Sequence, residues 1–303
     1  MPELPEVETV RRGLDRLVVG RRIDAVEVGR ERSVRRTSRQ SVIDGLTGAT
    51  IVRAERRGKY LLNPLDTGDT LMVHLRMTGQ LLLAGRGADR PPHTHVAMHL
   101  AADPARRLAP AELWFVDPRT FGEVVVFDPE FVAVELPEVA NLGIDPLVDN
   151  PSVADIARVI GRRNMRMKPL LLDQHVIAGI GNIYADEILH RARVHPDTVA
   201  STLRRNDFVR IHDAMLSILA AAVRAGGSTL RDATYVDLMG AGGSYQDDHR
   251  VYARAGERCR TCGRGVIRRV PFGGRSTHFC PVCQRERLAR RPQASPVRDR
   301  GSR

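Results

Sequence analysis

The chain has 303 residues, 42% of them hydrophobic, and a formal net charge of +11, a length and composition that allow two domains and a small third module. It contains no long apolar run and starts with an acidic rather than a basic-then-apolar segment, which excludes a membrane-spanning helix and points to a protein that stays in the cytoplasm. Residues 251–303 hold fourteen Arg against three acids, whereas the other 250 residues balance at 33 basic and 33 acidic; a localised excess of this kind is the footprint of a polyanion partner.

The first residues, Met1-Pro2-Glu3-Leu4-Pro5-Glu6, place chemistry at the terminus itself. Met before Pro favours removal of the initiator Met, which leaves Pro2 as a free secondary amine. Such an amine titrates near the α-amino range, about 8. It is therefore partly unprotonated at neutral pH and can attack an electrophilic carbon to give an iminium. Glu3 stands beside it as a proton shuttle, and Glu6 follows one helical turn on. A plain helix start accounts for Pro5 and Glu6 but not for a Pro at position 2.

Val7, Val10, Leu14 and Leu17 recur at helical spacing and predict an amphipathic helix over 4–19. Short β-rich runs follow at 23–28, 50–55, 60–62, 70–75, 80–83, 95–100, 112–116 and 122–127. Gly- and Pro-containing turns separate them, which suggests antiparallel sheets. Arg57-Gly58-Lys59-Tyr60 reads as a hairpin turn. Lysine occurs only at Lys59 and Lys168, against forty-five Arg. Arg stays protonated, whereas Lys can have its pKa lowered and trade protons, so both lysines are candidates. Met77, in His74-Leu-Arg-Met-Thr-Gly79, and Phe121, in Asp117-Pro-Arg119-Thr-Phe-Gly122, are each followed closely by Gly. An isolated Met or Phe on a strand is usually core; beside turn glycines, exposure is favoured.

A Pro-rich linker, 131–152, leads to helices predicted at 153–163, 168–174, 182–193 and 206–224. The run Asp173-Gln-His-Val-Ile-Ala-Gly-Ile-Gly181-Asn182-Ile-Tyr-Ala-Asp-Glu187 reads as a helix end, a Gly-Ile-Gly turn and a new helix. Glycine there lets a ligand approach the backbone, and the N–H groups of the new helix would face a phosphate. Gly-rich 226–250 is expected to be a mobile loop, and the polar tail 290–303 disordered.

All four cysteines fall in Cys259-Arg-Thr-Cys262 and Cys280-Pro-Val-Cys283, with seventeen residues between the pairs. This is the pattern of a zinc site. Four thiolates leave no position for water, so one Zn2+ would be structural. Gly273-Gly274-Arg275 would be the hairpin tip.

These motifs, from Pro-Glu-Leu-Pro-Glu-Val-Glu onward, resemble the formamidopyrimidine-DNA glycosylase (Fpg) family along nearly the whole chain. The resemblance implies an α+β fold: an N-terminal helix plus antiparallel β-sandwich, then a helical helix–two-turns–helix domain with a zinc β-hairpin. The expected divisions are 1–130, the linker 131–152, 153–250 with a lesion loop at 226–250, 251–289 and the tail 290–303. It also implies base excision from damaged double-stranded DNA by a monomer, and cleavage of the resulting abasic site. Pro2, Glu3, Glu6, Lys59 and Arg275 match catalytic positions. Met77, Arg119 and Phe121 match residues that fill the gap left by a flipped nucleotide. His74, His93, Arg162, Lys168, Gly181, Asn182 and Tyr252 match positions that contact DNA. The spacing between cysteine pairs is one residue longer than the family's usual. The Nei branch, which removes oxidised pyrimidines, shares Pro2, Glu3 and the zinc hairpin. Leu4, the Arg119/Phe121 segment and the long 226–250 stretch favour Fpg. A non-catalytic zinc DNA-binding protein is the remaining alternative, and intact Pro2, Glu3, Glu6 and Lys59 argue against it.

Overall fold

A computed structural model describes residues 1–230 and 235–286; the predicted tail 290–303 lies outside the described residues. Helix α1 (Leu4–Leu17) opens the fold. Its start is closed by a capping box in which Glu6 reaches back to the Glu3 N–H, with Pro5 in the first turn. Leu4 packs into a helical core, whereas Val7, Val10 and Leu14 pack into the sandwich core. One short helix thus joins the two hydrophobic centres.

The strands are β1 (Ile23–Val28), β2 (Glu55–Arg57), β3 (Tyr60–Pro64), β4 (Thr70–His74), β5 (Gln80–Gly85), β6 (Thr94–Leu100), β7 (Ala111–Val116) and β8 (Glu123–Phe127). They form two four-stranded antiparallel sheets, ordered β1-β6-β7-β5 and β2-β3-β4-β8. The strand predicted at 50–55 is mostly absent. Thr50 bridges to Arg22 and Ile51 to Leu65, so this stretch crosses between the sheets before β2 begins. Helix α2 (Arg39–Leu46) was not foreseen. Only Val42 and Leu46 are buried on it, and Ser38 caps it by accepting from the Ser41 N–H at 2.9 Å; one apolar pair in a polar stretch gives little periodic signal.

The linker is packed rather than free. Short helices α3 (Val132–Glu135) and α4 (Pro137–Ala140) bring Leu136 and Val139 onto Tyr60, Met72, Val125 and Phe127. The helical half comprises α5 (Val153–Ile160), α6 (Met167–Leu172), α7 (Asn182–Ala192) and α8 (Arg205–Arg224). α6, the turns over 173–181 and α7 make the helix–two-turns–helix element. Strands β9 (Arg268–Phe272) and β10 (Arg275–Phe279) form the C-terminal hairpin.

Of 226–250, expected to be a mobile loop, the described parts are anchored at several points. Tyr235 and Leu238 are buried in the sandwich core, and the Tyr235 hydroxyl donates to the Gly226 carbonyl at 3.0 Å. Tyr and Leu in a Gly-rich stretch supply the apolar anchors that composition alone conceals.

Candidate active site

Glu3 is the centre of the site. Its carboxylate is buried and sits on the N-terminus of α7, accepting from Gly181 N at 2.8 Å, Ile183 N at 2.9 Å and Tyr184 N at 3.3 Å. The helix end supplies unpaired donors and a positive dipole end, both suited to an anion. Only glycine fits at 181: a Cβ there would lie 2.4 Å from the Glu3 carboxyl carbon. Pro2 is buried next to Glu3, and Met1 remains 38% exposed at the mouth of the adjoining cleft.

Glu6 lies below this pair. One oxygen accepts from Glu3 N at 2.8 Å; the other accepts from the Tyr184 hydroxyl at 2.6 Å and Ser228 N at 2.7 Å. Burial, helped by the Glu3 charge, pushes its pKa up to about 7. Lys59 follows Gly58 in the β2–β3 turn, as predicted, and its Nζ donates to the Ile180 carbonyl at 3.0 Å. Burial lowers its pKa to about 8, against the opposing pull of Glu3. The turn is held by Asp145, which accepts from Gly58 N at 2.7 Å and pairs with buried Arg56.

The two segments expected to probe a duplex are tied together by Asp117, which is fully buried. Its carboxylate accepts from the Thr78 hydroxyl at 2.5 Å, Gly122 N at 2.7 Å and Arg119 N at 3.2 Å. Met77 and Phe121 are 43% and 38% exposed, and the Arg119 guanidinium lies 4.7 Å from the Phe121 ring centre. These side chains stand outward, as their turn glycines suggested.

A cleft of about 1150 Å3 brings together Met1, Glu3, Met77, Asn182, Tyr252 and Arg275. The Asn182 Oδ1 is buried without a protein partner. Arg162 lies instead in a separate recess with Arg57, Arg158, Arg163 and His175. His93 is exposed with a left-handed backbone (φ 67°). His74 is buried: its Nδ1 accepts from Arg76 N at 2.9 Å, its ring meets Tyr60 edge-on, and burial holds its pKa well below the usual imidazole value. Lys168, expected to reach the lesion strand, is also buried. It is paired with Asp186, whose other oxygen accepts from His278 N at 2.9 Å. In this structure the ammonium is engaged in a buried ion pair and does not line the cleft.

The cysteine cluster fits a metal. All four sulfurs lie within 4.8 Å of one another, with Cys259–Cys283 and Cys262–Cys280 both 3.8 Å apart. A tetrahedron with zinc–sulfur bonds of about 2.3 Å has edges of about 3.8 Å. The thiols are unbridged, and Gly265 N donates to Cys262 Sγ at 3.3 Å. Bound there, zinc would cross-link the hairpin, and four protein ligands leave no open position for catalysis.

Sequence reasoning passed over Asp117, Tyr184, Ser228 and the buried pair Asp186 and Glu187. Glu187 accepts from Arg250, Val251 and Tyr252 N–H groups at 2.8–2.9 Å and so fixes the entry to the zinc hairpin. The adjacent acids in the otherwise apolar run Ile-Tyr-Ala-Asp-Glu-Ile-Leu were the available signal.

The sandwich, the helix–two-turns–helix element and the cysteine hairpin surround one cleft with a buried carboxylate at its floor. They define an enzyme architecture for handling nucleic acid. Three family models match in chain order: the formamidopyrimidine-DNA glycosylase N-terminal domain over 1–124, its H2TH domain over 142–234, and the zinc finger found in FPG and IleRS over 256–285. The formamidopyrimidine-DNA glycosylase of Thermosynechococcus vestitus is 42% identical over 286 residues, covering 94% of this chain and 97% of that protein. Two structures of the Lactococcus lactis Fpg, a G226P mutant with Fapy-dG-containing DNA and a complex with abasic-site DNA, superpose with TM-scores of 0.83. Each is 35% identical and covers 94% of this chain and 100% of theirs. The chain belongs to the formamidopyrimidine-DNA glycosylase family.

Proposed function

We propose that this protein is a bifunctional base-excision-repair enzyme, a DNA glycosylase and abasic-site lyase. Its substrates are oxidised purines in duplex DNA, chiefly 8-oxoguanine opposite cytosine and formamidopyrimidines. The reading rests above all on the Glu3 carboxylate, buried beside Pro2 at the floor of a cleft lined by Met77, Asn182 and Arg275.

Removal of Met1 frees the Pro2 amine. Gly181, Asn182, His93 and Tyr252 hold phosphates at the cleft, Arg162 meets the flanking backbone from its separate recess, and together they position the duplex independently of sequence. Met77, Arg119 and Phe121 enter the gap as the damaged nucleotide swings out. Pro2 nitrogen then forms a bond to C1′ as the bond from C1′ to the base breaks, and the base leaves with a proton. Glu3 moves the proton between the Pro2 nitrogen and the opening sugar ring oxygen. The resulting iminium acidifies the C2′ hydrogen, and its loss expels the 3′ phosphate. A second elimination expels the 5′ phosphate, with Lys59 as the proton-exchanging base and Arg275 beside the departing group. The protein acts as a monomer, in the cytoplasm on the nucleoid. No helix among the described residues is long and apolar enough to cross a membrane.

The direct test is borohydride trapping on an 8-oxoguanine:cytosine duplex, with the N-terminus of the protein checked by mass. An adduct mapping to Pro2 is expected. No adduct from protein with a free Pro2 would overturn the reading for this lesion, and a panel including oxidised pyrimidines would then decide between branches.

A further inference from the structure

The four cysteine sulfurs differ in what surrounds them. Cys259 and Cys280 are 1% and 0% exposed, whereas Cys262 and Cys283 reach the surface in part. Four thiolates outweigh the charge of one zinc ion, and buried excess charge is costly unless donors or cations stand against it. Main-chain N–H groups do this for two of the sulfurs. Gly265 N donates to Cys262 Sγ at 3.3 Å, and the N–H groups of Val282 and Cys283 donate to Cys280. Cys259 has a partner of another kind: the Nε2 of His190, a side chain 2% exposed, lies 3.5 Å from its sulfur.

His190 does not come from the hairpin. It sits near the end of α7, the helix whose first turn receives Glu3. The hairpin is fastened to the same helix through Asp186, at His278 N, and through Glu187, at the N–H groups of Arg250, Val251 and Tyr252. The ring and the sulfur are thus held in register by contacts other than their own. Beside a free thiol either group could give the proton. A thiolate on a metal has none to give, so the imidazole must be the donor, with its proton on Nε2. Arg193, Arg250 and Arg254 add positive charge around the ring.

We propose that His190 is a positioning residue of the metal centre: its Nε2–H donates to the Cys259 thiolate and holds that sulfur on the zinc. Without the donor, Cys259 would keep a buried charge with less to offset it, and the four-sulfur site would bind its metal less firmly. The role lies in metal retention and is independent of which lesion is excised.

Two measurements on the full chain test this. The first is the rate at which zinc-loaded protein gives up its metal to excess pyridylazoresorcinol. His190→Phe keeps a flat ring and removes the donor; His190→Gln restores a donor through its side-chain amide. Release is expected to be about tenfold faster in His190→Phe, at the low end for loss of a hydrogen bond to a metal ligand, and to slow again in His190→Gln. The second uses cobalt in place of zinc and reads the sulfur-to-cobalt charge-transfer band. A donor lowers the energy of the sulfur lone pair, so the band should move to longer wavelength in His190→Phe and return in His190→Gln. Faster release with an unmoved band would make His190 a packing residue only and overturn the proposal. So would release from His190→Phe at the wild-type rate, or a Gln variant no better than Phe. Should His190→Phe fail to fold, wild-type zinc-loaded protein labelled with nitrogen-15 histidine decides by magnetic resonance: a proton on His190 Nε2 is expected, and a bare Nε2 overturns the proposal.

Discussion

Glu3 accepts from three backbone N–H groups at the start of α7, so its position depends on its charge as well as its shape. Glu3→Gln replaces one acceptor oxygen with a donor that faces those same N–H groups. Base release should fall by at least two orders of magnitude, in line with loss of a general acid–base group. Binding to lesion-containing duplex should survive, and a filter-binding assay beside a glycosylase assay would separate the two. Lys59→Arg keeps the charge but cannot give up a proton at neutral pH; most 8-oxoguanine excision should be lost, and retained turnover would remove proton exchange from the role of Lys59. Glu6 makes a stability prediction. Its folded pKa, about 7, lies above the unfolded value of 4.5. Its contribution is therefore full below about 4.5 and is lost as pH rises through 7, by about 3 kcal/mol in total. Denaturant unfolding across that window should show this slope in wild-type protein and a shallower one in Glu6→Gln. Pro2, Glu3, Glu6 and Lys59 were legible because residue type alone marks them: a terminal secondary amine, acids beside it, a rare lysine. Tyr184, Ser228 and Asp117 were not, since a Tyr in a helix, a Ser after two glycines and an Asp before a Pro are ordinary until the chain folds them together.

At the scale of elements, α7 carries the heaviest load. Its first turn receives Glu3, its middle presents Asp186 and Glu187 to the zinc hairpin, and His190 near its end lies 3.5 Å from Cys259 Sγ. The helix was predicted within one residue of its end, because Asn182 and the Gly-Ile-Gly turn mark its start. What it joins was not predictable from its own residues. The strands were legible where short β-rich runs are bounded by turn residues, as in β1 and β7, and illegible where the chain crosses between sheets at 50–55. The Lys168–Asp186 pair carries a prediction for this scale. Both groups are buried, so Lys168→Ala leaves the Asp186 carboxylate with only its His278 contacts and should destabilise the protein by about 3 kcal/mol. Thermal unfolding would show it, and Lys168→Ala protein melting with wild type would mean that water reaches Asp186.

For the whole molecule, charge and metal set the terms of DNA binding. Removing zinc should unfold the hairpin that carries Arg275 and abolish lesion binding, while the sandwich, whose core holds no cysteine, keeps its β-sheet circular dichroism. An apo-protein that binds normally would show the hairpin to be dispensable. The tail 290–303 holds five Arg and one Asp; deleting it should weaken non-specific binding and flatten its salt dependence, each lost phosphate contact changing the log–log slope by about 0.9. Excision under saturating conditions should be unaffected.

The seat of Glu3 has a mechanical consequence. Glu3 lies just before α1, which lines the sandwich, and its carboxylate is fastened to α7 in the helical half; Leu4 N repeats the fastening by donating to the Gly179 carbonyl at 3.0 Å. The proposed proton shuttle is thus also the bolt between the halves. The halves cannot part at this point without unseating Glu3, so on the proposed mechanism a wide-open state would not be competent. On the proposed reading compliance would fall to the substrate, and a lesion in an easily bent sequence context should be excised faster than the same lesion in a stiff one.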